Sequence, residues 1–392
     1  MVEKIKSLAK QYAPEFIEVR HHLHAHPELS YQEFETSEFV QQKLNEFGIP
    51  FETKATTGVV GLLKGKNPGK QVIALRADMD ALPIKEENNV PYKSQNVGVM
   101  HACGHDVHTT CLLGAAKILN KIKDEWEGTV KLIFQPGEEK NPGGASLLIK
   151  EGVLENPKPS FIFGLHVHPG LAVGKMSFRS GKVMASADEL YITIKGKGGH
   201  AASPHLCVDP ILIASNLITS LQQIVSRNNN PHNPTVLSIT SIQGGSTTNV
   251  IPAEVKLKGT FRAMDEVWRF KAHELIRTIS NNLVYSMGGE IELLIDVGYP
   301  SVYNNETLHE LAKQKAAIFI GASNVEETEK RMGAEDFGYY TQQIPGCFYR
   351  LGVMNTEKGI VSGVHTPTFN IDESAIETGM GMMAWLGASS FL

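Results

Sequence analysis

Residues 129–139 read Thr-Val-Lys-Leu-Ile-Phe-Gln-Pro-Gly-Glu-Glu, and the way this stretch ends decides the fold. Thr129–Phe134 is a short apolar run bounded by Pro-Gly, the pattern of a buried strand. It gives way at once to two adjacent carboxylates, Glu138 and Glu139. Comparable runs occur at Gly58–Leu63, Gln71–Arg76 and Phe161–Leu165, with helical patterns such as Thr109–Ile122 between some of them. Strands alternating with helices predict an α/β domain, a mostly parallel mixed sheet flanked by helices. Ligands in such sheets bind at the carboxyl ends of strands, which is where the Glu pair stands.

Outward from this core, residues 2–23 form a helical pattern with Val2, Ile5, Leu8, Ala9 and Tyr12 on one face. Pro14 is expected to kink or restart that helix. A second helix is expected over Tyr31–Phe47, ended by Gly48. Near Ser186 the pattern changes. A strand, Leu190–Lys195, is followed by a helix from Ile211 to Arg227, started by Asp209 as N-cap and Pro210 at the first position. Leu212, Leu217, Leu221 and Ile224 are its expected buried face. Strands Thr235–Ile242 and Ala253–Arg262, helix Val267–Tyr285 and strand Glu290–Ile295 complete β-α-β-β-α-β, the ferredoxin-like unit. Residues 186–297 therefore read as an α+β domain inserted between 1–185 and 298–392. The last segment returns to helix Glu306–Ile320, strand Cys347–Val353 and a C-terminal helix Asp372–Leu392.

Composition narrows the function. The 392 residues carry a net charge of −5 with no basic run, which disfavours nucleic-acid and polybasic membrane roles. Hydrophobic residues at 42% exclude a mostly disordered chain. No apolar stretch is long enough to span a membrane. Four cysteines are too few for a disulfide framework, and the N-terminus lacks the pattern of a signal peptide. Both point to the cytoplasm. No phosphate-loop motif is present, which disfavours nucleotide chemistry.

The 15 histidines cluster. In Met100-His-Ala-Cys103-Gly-His105-Asp106, a Cys-x-His pair opens a helix, whose N-terminus should favour a thiolate. Asp106 is a candidate partner for a ligand imidazole. Glu138 and Glu139, on extended backbone, should point opposite ways, one toward metal and one toward substrate. Phe161–Pro169 ends a buried strand in His166 and His168, and Gly363-Val-His365-Thr-Pro367 places a further imidazole in a loop before the last helix. Each alone has an ordinary alternative: a buried thiol, a solvated acidic turn, a core histidine. Together they supply Cys103, His105, Glu139, His166 and His365 as candidate ligands. A catalytic zinc takes three protein ligands plus water, so five are too many for one ion. With Cys103 bridging, the set divides into three ligands for each of two divalent ions. Zn, Mn, Co and Ni all accept such a mixed N/O/S set.

These motifs, with RHHLHAHPELSYQE, RADMDALP, GGHAASPH, GGSTTNVIP, GTFRA and GAEDF, resemble the co-catalytic metallo-amidohydrolases that include hippurate hydrolase, auxin-conjugate hydrolases and N-acetyl-diaminopimelate deacetylase, within the aminoacylase and carboxypeptidase clan. The resemblance covers nearly the whole chain. It implies a metallopeptidase-like catalytic domain, a smaller lid that forms a homodimer, and hydrolysis of the amide bond of small N-acyl amino acids. It assigns the five ligands to the residues above and the general base to Glu138. His200 is implied as oxyanion donor, Asn249 and Arg262 as carboxylate binders, and Glu335 with Asp336 as pocket residues. Peptidase relatives carry a metal-binding His where this chain has Asp78-Met79-Asp80; Asp80 keeps an orienting role. Dipeptide or carboxypeptidase-type hydrolysis on the same scaffold is the alternative. A non-catalytic metal-binding module fits less well, because the ligands are widely spread and Glu138 is spare.

The remaining features have plainer readings. His21, His22, His24 and His26 are expected to be surface or packing residues; His101 and His108 flank the site and are expected to back its ligands or lie on the helix face. Cys111, Cys207 and Cys347 read as buried thiols. Tyr339-Tyr340 and the Met-rich tail around Met380–Met383 read as core.

Overall fold

The computed structural model describes residues 1–390. They form two compact units. One comprises Met1–Gly181, Tyr303–Glu329 and the described residues from Tyr339 onward; the other comprises Lys182–Val302 with Lys330–Gly338.

The first unit is built on an eight-stranded sheet. Its order is Phe51–Lys54, Gly58–Lys64, Thr129–Gln135, Val72–Asp78, Phe161–Ala172, Gly346–Met354, Met176–Phe178 and Val325–Glu327. The four central strands, Thr129–Gln135 to Gly346–Met354, run parallel. They are buried throughout most of their length, as parallel strands covered on both faces must be. Even Lys131 is buried within Thr129–Gln135; its Nζ donates to the carbonyls of Val153 and Glu155, both at 2.7 Å. Helices His105–Lys121 and Ser374–Ser389 are buried on nearly every side, and Met380, Met382 and Met383 pack into the core.

Several boundaries differ from those expected. The first helix runs unbroken over Val2–Ala25 with Pro14 inside it. The second starts at Phe34, not Tyr31, because Tyr31 adopts a left-handed backbone (φ 67°) that no helix contains. The strand bearing His166 continues to Ala172, past Pro169, paired with Gly346–Met354 through an irregular register near Gly352. The last helix is Ser374–Ser389. Of its expected span Asp372–Leu392, residues 391 and 392 lie outside the described residues.

The second unit carries an antiparallel four-stranded sheet in the order Thr235–Gln243, Glu254–Ala263, Asp188–Lys195, Glu290–Val297. With helices Pro210–Gln223 and Glu266–Ser286 on one face, this is the ferredoxin-like arrangement. Asp209 caps the first helix as expected, accepting the Ile211 and Leu212 amides at 2.9 and 3.3 Å. Leu212, however, is 54% exposed. The buried stripe is Ile213, Leu217, Leu221 and Ile224, and Leu212 lies about 100° round the helix from Ile213. Buried Asp188 ties the sheet to the second helix, accepting from Arg269 Nε at 2.9 Å and His273 Nε2 at 2.8 Å. Among the described residues, no helix is long and apolar enough to cross a membrane.

Candidate metal centre

The first unit gathers Cys103, His105, Glu139, His166 and His365 from four separate segments. Cys103, His105 and His166 form one group whose donor atoms lie within 4.8 Å of one another; Cys103, Glu139 and His365 form a second. The groups share Cys103. Glu138 also comes within 4.8 Å of both His105 and Glu139.

Each donor is aimed by a named contact. The Asp80 carboxylate follows strand Val72–Asp78 and is buried. Its Oδ1 lies 3.2 Å from His105 Nδ1 and accepts the Glu138 amide at 3.0 Å. Its Oδ2 accepts the Glu139 amide at 2.9 Å and the Ser30 hydroxyl at 2.6 Å. One side chain therefore holds both the ring of His105 and the backbone of the Glu pair. A ring whose Nδ1–H is held in this way presents Nε2 as a lone pair. His166 donates Nδ1–H to the Val167 carbonyl at 2.8 Å and turns Nε2 to the Cys103 sulfur, 3.5 Å away. Burial, then the charges of His108 and Arg350, hold its pKa well below the usual imidazole value, so it stays a neutral donor. His365 sits at φ 61° and donates its amide to Ala102 O at 2.8 Å. Its Nε2 lies 3.3 Å from Glu139 Oε1. Hydrogen bonding to Cys103 and then to Glu139 pushes His365 up to about 10.

Two buried atoms show that these residues fit a cation. His105 Nε2 is buried without a hydrogen bond and lies 4.0 Å from Glu139 Oε1, whose near neighbour on the other side is His365 Nε2 at 3.3 Å. Despite burial, the charges of Asp78 and Cys103 raise the His105 pKa, so a cation bound between the two atoms would take the place of the His105 proton. The mixed sulfur, imidazole and carboxylate set matches transition-metal chemistry.

Burial opposes the thiolate that a helix N-terminus was expected to favour at Cys103. The helix begins at His105 with Gly104 as N-cap, so Cys103 lies outside it. Burial, then the charge of Glu139, push the thiol up. A metal binding here must displace that proton. Gly104 is required at φ 84°, where a Cβ would meet Val167 Cγ2 at 2.6 Å. Asp106 is not the partner of a ligand imidazole either. It accepts from Arg20 Nε and His24 Nδ1, both at 2.8 Å, and His24 continues to Glu86 at 3.2 Å. Within the histidine tract, His24 is thus a buried tether between the first helix and the start of His105–Lys121. His108 is satisfied on both nitrogens, by Asp78 at 2.6 Å and by the Val167 amide at 2.9 Å. Glu138 and Glu139 lie beyond the strand, after Gly137 (φ 57°), with a carboxylate oxygen of each within 4.8 Å of the other.

The other predicted residues belong to the second unit. His200 pairs with Val250 in a two-stranded ladder, and Asn249 O accepts the Ala201 amide at 3.0 Å, so His200 and Asn249 are held side by side. Arg262 is half-buried on strand Glu254–Ala263, with Nε donating to Thr260 Oγ1 at 3.1 Å. Glu335 is buried in Lys330–Gly338 and accepts the Phe337 amide at 3.1 Å. Pattern reading of the chain overlooked Tyr31 and Glu33, which hold the Glu138 loop. Both fall inside the helix expected over Tyr31–Phe47, so the pattern carried no sign of this role; in the structure Glu33 is the N-cap of Phe34–Glu46 and its side chain does not cap that helix.

Residues 74–386 match the family described as Peptidase family M20/M25/M40. The chain belongs to this family of hydrolases. It is 40% identical over 384 residues to thermostable carboxypeptidase 2 of Saccharolobus solfataricus, covering 97% of this chain and 96% of that one. It is 40% identical over 394 residues to IAA-amino acid hydrolase ILR1-like 5 of Arabidopsis thaliana, covering 98% and 89%. Among solved structures, the Bacillus subtilis YXEP protein, a dinuclear metal-binding peptidase, superposes with a TM-score of 0.84 at 36% identity, covering 97% and 99%.

Proposed function

We propose that the chain is a dinuclear metal-dependent amidohydrolase that cleaves the amide bond of N-acyl amino acids into a carboxylic acid and an amino acid. The observation that carries this reading is the pair of donor groups joined at Cys103, with Glu138 beside them. Cys103, His105 and His166 would hold one divalent ion, and Cys103, Glu139 and His365 the other, with Zn, Mn, Co or Ni as candidates. Bound there, the ions supply Lewis acidity, which polarises an acyl carbonyl and lowers the pKa of water. Glu138 takes the proton of the attacking water and returns it to the leaving nitrogen. Asp80 keeps His105 and the Glu138 backbone in register. His200 is the further donor to the oxyanion. Asn249 and Arg262 bind the amino-acid carboxylate, Arg262 by its two-pronged guanidinium, and Glu335 shapes the pocket. The reading includes a homodimer formed through the second unit, supported by the exposed apolar side chains of Leu206, Ile211 and Leu212. Four free cysteines support a reducing, cytoplasmic setting.

The carboxypeptidase relative favours a second reading, peptide hydrolysis at the same centre. The two separate in a substrate panel assayed with each metal: acetyl, benzoyl, indole-acetyl and long-chain acyl amino acids against unblocked dipeptides. Turnover of the acylated set is expected. Turnover confined to dipeptides overturns the first reading.

A further inference from the structure

Glu138 and Glu139 occupy an irregular loop, and a loop by itself does not hold a general base to the tolerance that proton transfer needs. Three consecutive amides of this loop are each bonded to a buried carboxylate. Asp80 takes those of Glu138 and Glu139. The third, that of Gly137, goes to Glu33 Oε1 at 2.7 Å. Glu33 is fully buried; the same oxygen accepts the Tyr31 amide at 2.9 Å, and Oε2 accepts the Thr57 hydroxyl at 2.8 Å.

Tyr31 grips the far side of the loop. Its hydroxyl donates to the Lys140 carbonyl at 2.6 Å and accepts the Gly143 amide at 3.0 Å. Its ring lies flat enough against Gly137 that a Cβ there would stand 2.2 Å from Tyr31 Cε1. The loop closes on itself through the Gly144 amide to the Gly137 carbonyl at 2.9 Å. The strained left-handed backbone of Tyr31 is what brings its ring, its hydroxyl and the neighbouring Glu33 to one loop. Backbone strain of this kind persists only where surrounding contacts enforce it.

We propose that Glu33 and Tyr31 are positioning residues that clamp the Gly137–Gly143 loop from the side opposite Asp80 and set where the Glu138 carboxylate stands during turnover. This rests on the assignment of Glu138 as general base. The clamp works by accepting amides, not by charge. Burial, then the neighbouring charge of Asp80, push Glu33 up to about 7. A carboxyl group protonated on Oε2 still accepts both amides on Oε1 and donates to Thr57. A glutamine offers the same pattern.

The test compares four variants, each metal-saturated, with folding checked by thermal melting and metal content by elemental analysis. Glu33→Ala leaves the Gly137 amide without its acceptor; it should lower kcat by about a hundredfold, the cost of misplacing a reacting group by about 1 Å. Its KM should stay within about threefold of wild type, since a loss confined to kcat marks an interaction of the transition state. Glu33→Gln should restore kcat to within about threefold, because both amide acceptors remain. Tyr31→Phe keeps the ring on Gly137 but removes both hydrogen bonds of the hydroxyl, and should lose at least about tenfold in kcat. Glu138→Gln, run in parallel, tests the underlying assignment. If it collapses turnover while folded Glu33→Ala and Tyr31→Phe keep wild-type kcat, the clamp is refuted and the general base stands. If Glu138→Gln turns over normally, the base assignment itself fails. Should Glu33→Ala not fold, Tyr31→Phe decides, and an unchanged kcat there refutes the clamp.

Discussion

Glu138→Gln is expected to keep both metal ions and lose nearly all turnover. The backbone amides of residues 138 and 139 stay on Asp80 whatever side chain residue 138 carries, so the loop does not move. The two donor groups that meet at Cys103 do not include Glu138, so the ligands remain. What disappears is a group that can take a proton and give it back. General acid–base catalysis is worth about a hundred- to ten-thousandfold, and the loss should fall on kcat with little change in KM. Elemental analysis beside steady-state kinetics is the check. A variant that retains metal and turns over at the wild-type rate contradicts the mechanism.

Cys103→Ala should fail differently, losing metal and activity together. Its sulfur is the atom common to both groups, so each would fall from three protein donors to two, below the three that a catalytic ion requires. The change also empties little space: Ala is smaller but apolar, and the site is buried by the strands around it. The fold should therefore survive, since the core of the first unit does not depend on this side chain. Elemental analysis of the dialysed variant is expected to find far fewer than two ions per chain. Two ions retained would mean that the thiolate is not shared.

The parts of the fold legible in the sequence were those with local signatures. Apolar runs such as Thr129–Phe134 announced central strands, and the Asp209-Pro210 pair marked a helix start that the structure repeats. The candidate ligands were legible because metal-binding side chains are rare and stand at strand ends and helix starts. Phase and pairing were harder to see. Leu212 and Ile213 are both apolar, and only the packed helix shows which of them turns inward. Asp106 stands next to His105, which made it a natural partner in sequence; its true partners, Arg20 and His24, come from a helix more than 80 residues earlier. Asp80 could be placed in an orienting role, but not its simultaneous hold on His105 and on two loop amides. Glu33 falls inside the helix expected over Tyr31–Phe47, so its long-range bond to Gly137 left no mark in the pattern.

The shared thiolate is tested most directly by anomalous X-ray diffraction from crystals loaded with a single metal, collected at that metal's absorption edge. Two peaks are predicted, both in coordination range of Cys103 Sγ, one also ligated by His105 and His166 and the other by Glu139 and His365. A single peak, or two peaks of which either lies clear of Cys103, would contradict the account.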